Sequence, residues 1–550
     1  MFYSMADLKD PNKAGASIEI KKWSIPLQKC IDSFVYDLGY PSSVNNLLSL
    51  SPSKELLVSD LAQLYFIKSN PWRIEDKIKS QSILTTGILQ KKDSLIFSAE
   101  DGIIRFLNTQ NNQFSTKNTH ARTLGEAVFS ADKKTITLNQ RILLKGQSFN
   151  SYIVSHLLET GQTDTLAKEP DALIDNAPGV TISTDRSALG YKVIPIKNSS
   201  QKNDEALFKV VDLPSLTLRH QDSAFYIGDL KFLPDAKSYV LLGNTNTLFL
   251  YKDSTIHAFA DTVTDKNDMY FNLEVLDSKR VICGGQYGAS IWNLELGKLE
   301  KKIKAFSNSG VVRMALTPNK EKLLLTSGDT MKLYNLATLE LLQTFTAPMG
   351  WATPATFTDD GKSIVTASAD NAIRYWDIAT GKEKYKVIFI DTTDFITITP
   401  DKYYQSTPGA VKLLHYATPD MKTITFDQLD VKYNRPDKVL QAMGSGDTTL
   451  INAYRKAYEK RIRKLGIDTT AFTNNIEVPD ADFANRDAIP YENTTPKLTL
   501  RIKGNDVAYP LDRFSIWINE VPLFGSNGLS LKHKNGIRLI PPLRLHFPKA

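Results

Sequence analysis

Two cysteines, seven histidines and one glycine cluster are the residues in this 550-residue chain most readily put to chemistry. A nucleophilic cysteine needs a nearby base and surroundings that favour the thiolate. Cys30 sits in Leu27-Gln-Lys-Cys-Ile-Asp32 and Cys283 in Val281-Ile-Cys-Gly-Gly285, and both read as small apolar fillers of strands. Two cysteines also build neither a disulfide framework nor a cysteine-based zinc site, which fits a reducing compartment and a cytoplasmic location. The histidines (His120, His156, His220, His257, His415, His533 and His546) are scattered, and none stands four residues from another. Helical spacing of metal ligands is therefore absent. The cluster Cys283-Gly-Gly-Gln-Tyr-Gly288 precedes a strand-like run at 289–294, whereas a phosphate cradle needs the N-terminus of a helix. No catalytic, cofactor-binding or metal-ligating residue is assigned, no cofactor is expected, and the chain as it stands is expected not to be an enzyme.

The elements that would position any site come from a repeat. In Phe357-Thr-Asp-Asp-Gly-Lys-Ser-Ile-Val-Thr-Ala-Ser-Ala-Asp-Asn-Ala-Ile-Arg-Tyr-Trp-Asp-Ile-Ala-Thr-Gly-Lys382, three polar turns separate two short apolar strands. The first half recurs at Leu50-Ser-Pro-Ser-Lys, Phe129-Ser-Ala-Asp-Lys, Phe232-Leu-Pro-Asp-Ala, Leu316-Thr-Pro-Asn-Lys and Ile398-Thr-Pro-Asp-Lys. Second-strand landmarks stand at Leu64, Ile104, Ile153, Phe208, Phe249, Ile291, Leu333, Ile373 and Leu413, and from Phe208 onward they are 41, 42, 42, 40 and 40 residues apart. A four-stranded propeller blade has a period of ~40–45 residues. The run Ile18-Glu-Ile-Lys-Lys-Trp-Ser-Ile25 reads as one more strand, placed to close the ring beside the last blade. Residues 160–205 are polar and irregular and read as a long exposed loop.

The repeat resembles the WD-repeat family. Trp376-Asp377 matches the dipeptide that names it, and Asp370 stands six residues before the tryptophan. In that family this aspartate, the tryptophan and an upstream histidine share a buried hydrogen-bond network. Here Pro348 stands where the histidine would be, and Trp292-Asn293 and Tyr334-Asn335 are degraded forms of the dipeptide. The resemblance implies a predominantly all-β fold with a propeller of seven to nine blades over residues 15–420. It implies a non-catalytic platform that binds proteins or peptides at the propeller loops.

After residue 420 the pattern changes. Pro436 and Gly444 frame one helix, and Asp447-Thr448 and Gly466 frame a second. Ile451, Tyr454, Tyr458, Ile462 and Leu465 fall on one face of the second helix, and Arg455, Lys456, Lys460, Arg461, Arg463 and Lys464 on its outer face. Residues 421–466 thus read as a connector and a helical hairpin on the propeller rim, 467–495 as a linker, and 496–550 as a partial immunoglobulin-like β-sandwich broken by Pro541-Pro542. The order Phe426-Asp-Gln-Leu-Asp430, Asn434-Arg-Pro-Asp437, Ala453-Tyr-Arg-Lys-Ala-Tyr-Glu-Lys-Arg461 and Trp517-Ile-Asn-Glu-Val-Pro-Leu-Phe-Gly525 resembles bacterial WD-repeat proteins that end in a caspase-like (peptidase C14 type) cysteine peptidase. On that resemblance the chain is the regulatory N-terminal part of such a peptidase, cut short before a catalytic domain that is missing or separately encoded, and a caspase-like peptidase joins the expected partners. A net charge of +7 spread over the whole chain, with no apolar run long enough to span a bilayer, gives no expectation of nucleic-acid or membrane binding.

Overall fold

The computed structural model describes residues 85–546 outside a set of short segments, chiefly 144–148, 175–179, 196–206, 261–268, 308–312, 347–353, 473–478, 491–496 and 532–537; before residue 85 it describes strands alone. The repeated phrase is a single kind of turn. In four copies an amide donates across the turn to the carbonyl five residues on: Ser130 N to Thr135 O, Leu233 N to Ser238 O, Thr317 N to Lys322 O and Thr358 N to Ser363 O, at 2.8–3.1 Å. One residue in each takes a left-handed backbone, namely Lys133, Ala236, Lys320 and Gly361. A polar first residue steadies the turn, as where Thr358 Oγ1 donates to Asp360 Oδ1.

Seven antiparallel sheets follow one another along the chain as blades: blade 1 (85–118), blade 2 (122–170), blade 3 (172–223), blade 4 (227–260), blade 5 (270–304), blade 6 (313–346) and blade 7 (355–406). Each runs in chain order from its first strand to its outer strand, with blade 3 carrying one extra short strand, Thr181–Ile182. The landmarks Ile104, Ile153, Phe208, Phe249, Ile291, Leu333 and Ile373 all fall on third strands or, in blade 3, on the equivalent strand. Leu413 lies outside any strand, and Leu64 lies in a separate four-stranded sheet over 46–79.

The ring closes between blade 7 and blade 1, so seven blades suffice. The first strand of blade 1, Thr85–Lys91, lies beside the first two strands of blade 7. Tyr375 Oη donates to Gln90 Oε1 at 2.6 Å, and Lys92 N donates to Asp359 Oδ2 at 2.7 Å. One apolar cluster fills the seam, with Ile88, Phe97 and Leu107 meeting Tyr375, Tyr385, Val387 and Phe389. Closure covers the two apolar blade faces that an open row of blades would leave in water. The Ile18 strand, Ser17–Ser24, does not complete the last blade; it pairs with Phe2–Leu8 on one side and Lys29–Asp37 on the other. Blade 7 extends itself instead: Phe395–Ile398 takes the edge of Glu383–Phe389, and Tyr404–Ser406 pairs beyond it.

Within the expected loop at 160–205 the described residues are mostly sheet. Thr163–Pro170 is the outer strand of blade 2, and Ala188–Pro195 runs through blade 3. The outer position explains the error, because Thr163–Pro170 is largely solvated and carries Asp164, Lys168 and Glu169 as a loop would.

Four helices follow: α1 (Pro408–Val411), α2 (Phe426–Tyr433), α3 (Pro436–Met443) and α4 (Thr448–Leu465). The segment read as a connector is therefore largely α2. Pro436 opens α3, and Gly444, at φ 79°, closes it in the left-handed conformation that suits glycine. Val439, Leu440 and Met443 of α3 and Ile451 of α4 are buried in the seam cluster of blades 1 and 7. Ser445 Oγ donates to Gln110 O, and Gly446 N to Gln110 Oε1, each at 2.6 Å. Burial alone would raise the Asp437 carboxyl; Arg435, bonding both its oxygens at 2.9 and 2.7 Å, holds it below the usual range.

The chain divides into two compact units, residues 1–411 with 433–457, and residues 412–432 with 458–550. In the second unit the described strands form small sheets of two or three strands. Asp480–Phe483, inside the expected linker, pairs with Ile502–Asn505. Lys497–Leu500 pairs with Leu543–His546, so strands flank Pro541-Pro542. Ile502 and Leu531 pack with Phe483, Leu511 and Phe514 as its small core.

Candidate interaction surface

The residues singled out for chemistry are dispersed. Cys283 is fully buried on the second strand of blade 5, where burial pushes its thiol well above the ordinary value. Cys30 is exposed on Lys29–Asp37, not an apolar filler. His156 is buried, with Nδ1 2.9 Å from Thr163 Oγ1, and burial, reinforced by Lys117, lowers its pKa to about 4. His220 lies against the rings of Phe208 and Tyr251, while His257 and His415 are exposed. His120, His533 and the side chain of His546 lie outside the described residues, as does Pro348. Among the described residues no group of three or more histidines, cysteines or carboxylates is placed to hold a metal ion. The glycine cluster is structural: a Cβ on Gly288 would lie 1.8 Å from Ile303 O, so that strand meets its neighbour at glycine contact.

Among the described residues no hydrogen bonds link Asp370 to Trp376. Trp376 Nε1 donates to Thr366 Oγ1 at 3.0 Å. Asp370 accepts from Ser368 Oγ at 2.8 Å and from Arg374, which is almost wholly buried. Burial would raise the Asp370 carboxyl, but the Arg374 and Ser368 hydrogen bonds outweigh it and hold the carboxyl at about 2. Blade 1 repeats the arrangement: Arg105, fully buried, donates to Asp101 at 3.1 and 2.5 Å. The shared spacing, aspartate then arginine four residues later on the third strand, is legible in Ala99-Glu-Asp-Gly-Ile-Ile-Arg-Phe106. Side chains alternate along a strand, so Arg105 shares the blade 7 side of blade 1 with Leu107, whereas Arg374 shares the blade 6 side of blade 7 with Trp376.

An enclosed carboxyl marks another seam. Asp229, on the first strand of blade 4, accepts from Leu230 N at 2.7 Å and from Leu273 N of blade 5 at 2.8 Å. Its residue is partly exposed as a whole, yet its carboxyl is enclosed between the blades, and that burial raises its pKa to about 6.

A different feature stands on the outer rim. Large apolar side chains stand exposed at Leu216 and Leu218 of blade 3, Ile256 of blade 4, Leu296 of blade 5, and Leu341 and Leu342 of blade 6. Among the described ring residues, Met269 is the one further exposed large apolar side chain, so the set gathers on outer strands and outer turns of four consecutive blades. Sequence periodicity shows that these segments are strands, but not that they are outermost. The basic face of α4 is exposed as expected, with Arg461 paired to Asp430 at 2.6 Å. No helix among the described residues is long and apolar enough to cross a membrane.

No family model matches the chain, and no curated protein does. Solved structures do resemble it. The structure of U3-55K is 13% identical with a TM-score of 0.39, covering 52% of this chain and 89% of that one. The WD40 repeats of RRP9 give 13% and 0.39, over 52% and 88%. The WD40 β-propeller domain of Doa1 gives 14% and 0.41, over 54% and 94%. At these scores the likenesses carry no argument about partners, and the blade count rests on strand order and ring closure.

Proposed function

We propose that this chain is a non-catalytic protein-interaction platform, a seven-bladed propeller that presents the outer rim of blades 3–6 to protein partners. The observation that carries the reading is the run of exposed leucine and isoleucine side chains along that rim, from Leu218 through Leu341. Exposed large apolar side chains that gather on one part of a surface are material for an interaction site, and the rim differs here from the propeller loops named by the family resemblance. A reducing, cytoplasmic setting belongs to the same reading. Affinity capture with the intact chain, compared with a Leu218→Asp/Leu296→Asp/Leu341→Asp variant, tests it. Specific partners should be lost from the variant, while Lys456→Glu on α4 leaves them in place. Equal capture by the rim variant and the intact chain would overturn the reading.

The narrower reading, a regulatory part of a caspase-like peptidase, rests on the motifs at 426–437 and 517–525. The same capture decides it, by recovering such a peptidase or by failing to.

A further inference from the structure

The outer strands of the ring are guarded unequally. A free strand edge invites pairing with another chain, and proteins usually blunt it with charge, proline or a covering segment. Blade 2 ends in Thr163–Pro170, with two acids, a lysine and a proline; blade 5 ends in Lys298–Lys304, with four lysines; blade 7 covers its edge with two further strands. Blade 4 ends in Thr255–Ala260, Thr-Ile-His-Ala-Phe-Ala, which carries no carboxylate, lysine, arginine or proline. All of this strand is exposed except the half-buried Phe259.

The hairpin that makes this strand fixes which way its backbone points. Asp253 and Ser254, at φ 51° and 63°, form a two-residue turn that closes on the pair Lys252 and Thr255. In such a hairpin the closing pair exchanges hydrogen bonds, and bonded pairs alternate from there. Thr255, His257 and Phe259 therefore bond inward to Lys252, Leu250 and Leu248. Ile256, Ala258 and Ala260 turn their N–H and C=O groups outward, along the edge.

A cleft of about 480 Å³ lies on the inward-bonded face, between the outer parts of blades 4 and 5. Leu233, Leu250, Phe259 and Leu294 give it an apolar floor, and Lys252 and His257 stand at its side. Its two acids are engaged: Asp235 accepts the Lys237 and Ser238 amides, and Glu295 pairs with Lys279 at 3.0 Å. The blade 5 turn leans on the strand, since a Cβ on Gly297 would come within 2.8 Å of the Phe259 ring. From Gly297 the chain enters a strand with lysines at 298, 302 and 304, its fourth, Lys301, being turned to Ala337 O of blade 6 and its one acid, Glu300, accepting from the Asn293 amide. Apolar floor, outward ladder and flanking positive charge thus converge on one groove.

The geometry points to an extended, acidic segment of a partner protein that adds to Thr255–Ala260 as a fifth strand of blade 4. Its backbone pairs with Ile256, Ala258 and Ala260, and its cleft-facing side chains, every second residue, supply both the apolar groups that meet the floor and the carboxylates that meet Lys252 and the lysine strand. This rests on the interaction-platform reading and names its occupant.

The probe is a labelled seven-residue peptide, Val-Thr-Glu-Thr-Val-Thr-Glu, which places valine and glutamate on one face of a strand, titrated with the full chain by fluorescence anisotropy. Its valine–lysine counterpart and a copy N-methylated at alternate residues serve as controls. The acidic peptide should bind and weaken with salt. The lysine peptide should not bind, and N-methylation should cost at least tenfold. Ala258→Pro removes one outward N–H where proline is tolerated, at an edge, and should also lower affinity at least tenfold with the melting temperature held. Absence of binding by the acidic peptide, or equal binding of its N-methylated copy, overturns the proposal; the N-methylated arm decides even if Ala258→Pro fails to fold. If lysate partners are retained by Ala258→Pro but lost from the rim leucine variant, the platform reading stands and this groove falls.

Discussion

Shortening Leu440 to alanine should open the ring at one place. Leu440 has 0% exposure and lies on α3 in the cluster that joins blades 1 and 7. Removing a fully buried leucine side chain costs about 2–5 kcal/mol, the upper part of that range where the cavity does not collapse. Here the walls are strands of two blades held by their own ladders, so collapse is restricted. Two other seam contacts set the scale. Tyr375→Phe leaves Gln90 Oε1 buried without its 2.6 Å donor, a cost of about 1–3 kcal/mol. Asp359→Ala loses a largely solvated ion pair with Lys133 and the Lys92 amide bond, worth about 0–1 kcal/mol. The predicted order is Leu440→Ala, then Tyr375→Phe, then Asp359→Ala. Urea unfolding gives the order, and amide hydrogen exchange gives the location. Protection should fall in 94–108 and 363–377 while 239–252 of blade 4 stays protected. A Leu440→Ala variant that costs less than Asp359→Ala, or that loosens blade 4 as much as the seam, refutes α3 as the clasp.

Asp229 should make stability fall with rising pH. Burial raises its folded pKa to about 6, so the folded state holds the proton more tightly than the unfolded chain, where the value is ~3.9. Its contribution is full below about pH 4, declines through the window to about pH 6 and is flat above, at most ~3 kcal/mol in all. Asp229→Asn removes this slope, and urea midpoints of both proteins at pH 4, 5, 6 and 7 should diverge in the variant's favour; parallel curves would contradict it. Gly288→Ala forces a Cβ onto Ile303 O and should leave little folded protein, read as soluble yield and circular dichroism. Iodoacetamide should label exposed Cys30 in native protein and reach Cys283 only after unfolding, because Cys283 is buried with its thiol pKa raised; mass spectrometry of the two peptides decides it.

What the sequence determined is local. The Asp-Lys and Asp-Gly turns, the alternating strands and the ~40-residue spacing are set by neighbours along the chain, and they were enough to locate the third strand of every blade. Pro436 and Gly444 likewise marked α3, because a fixed φ at one end and a left-handed residue at the other are properties of those residues alone. The tertiary structure decided the rest. Seven blades close the ring because Gln90 and Tyr375, far apart in sequence, meet across a seam that α3 covers. The strand at Ile18 alternates like a blade strand, but its pairing depends on which edges are already taken, and blade 7 takes its own. The same holds for the rim. Thr255–Ala260 reads as an ordinary strand, and only its place at the end of a sheet leaves its backbone groups facing outward. Periodicity reports which side chains share a face; which edge stays open is set by contacts between residues that the chain itself does not bring close.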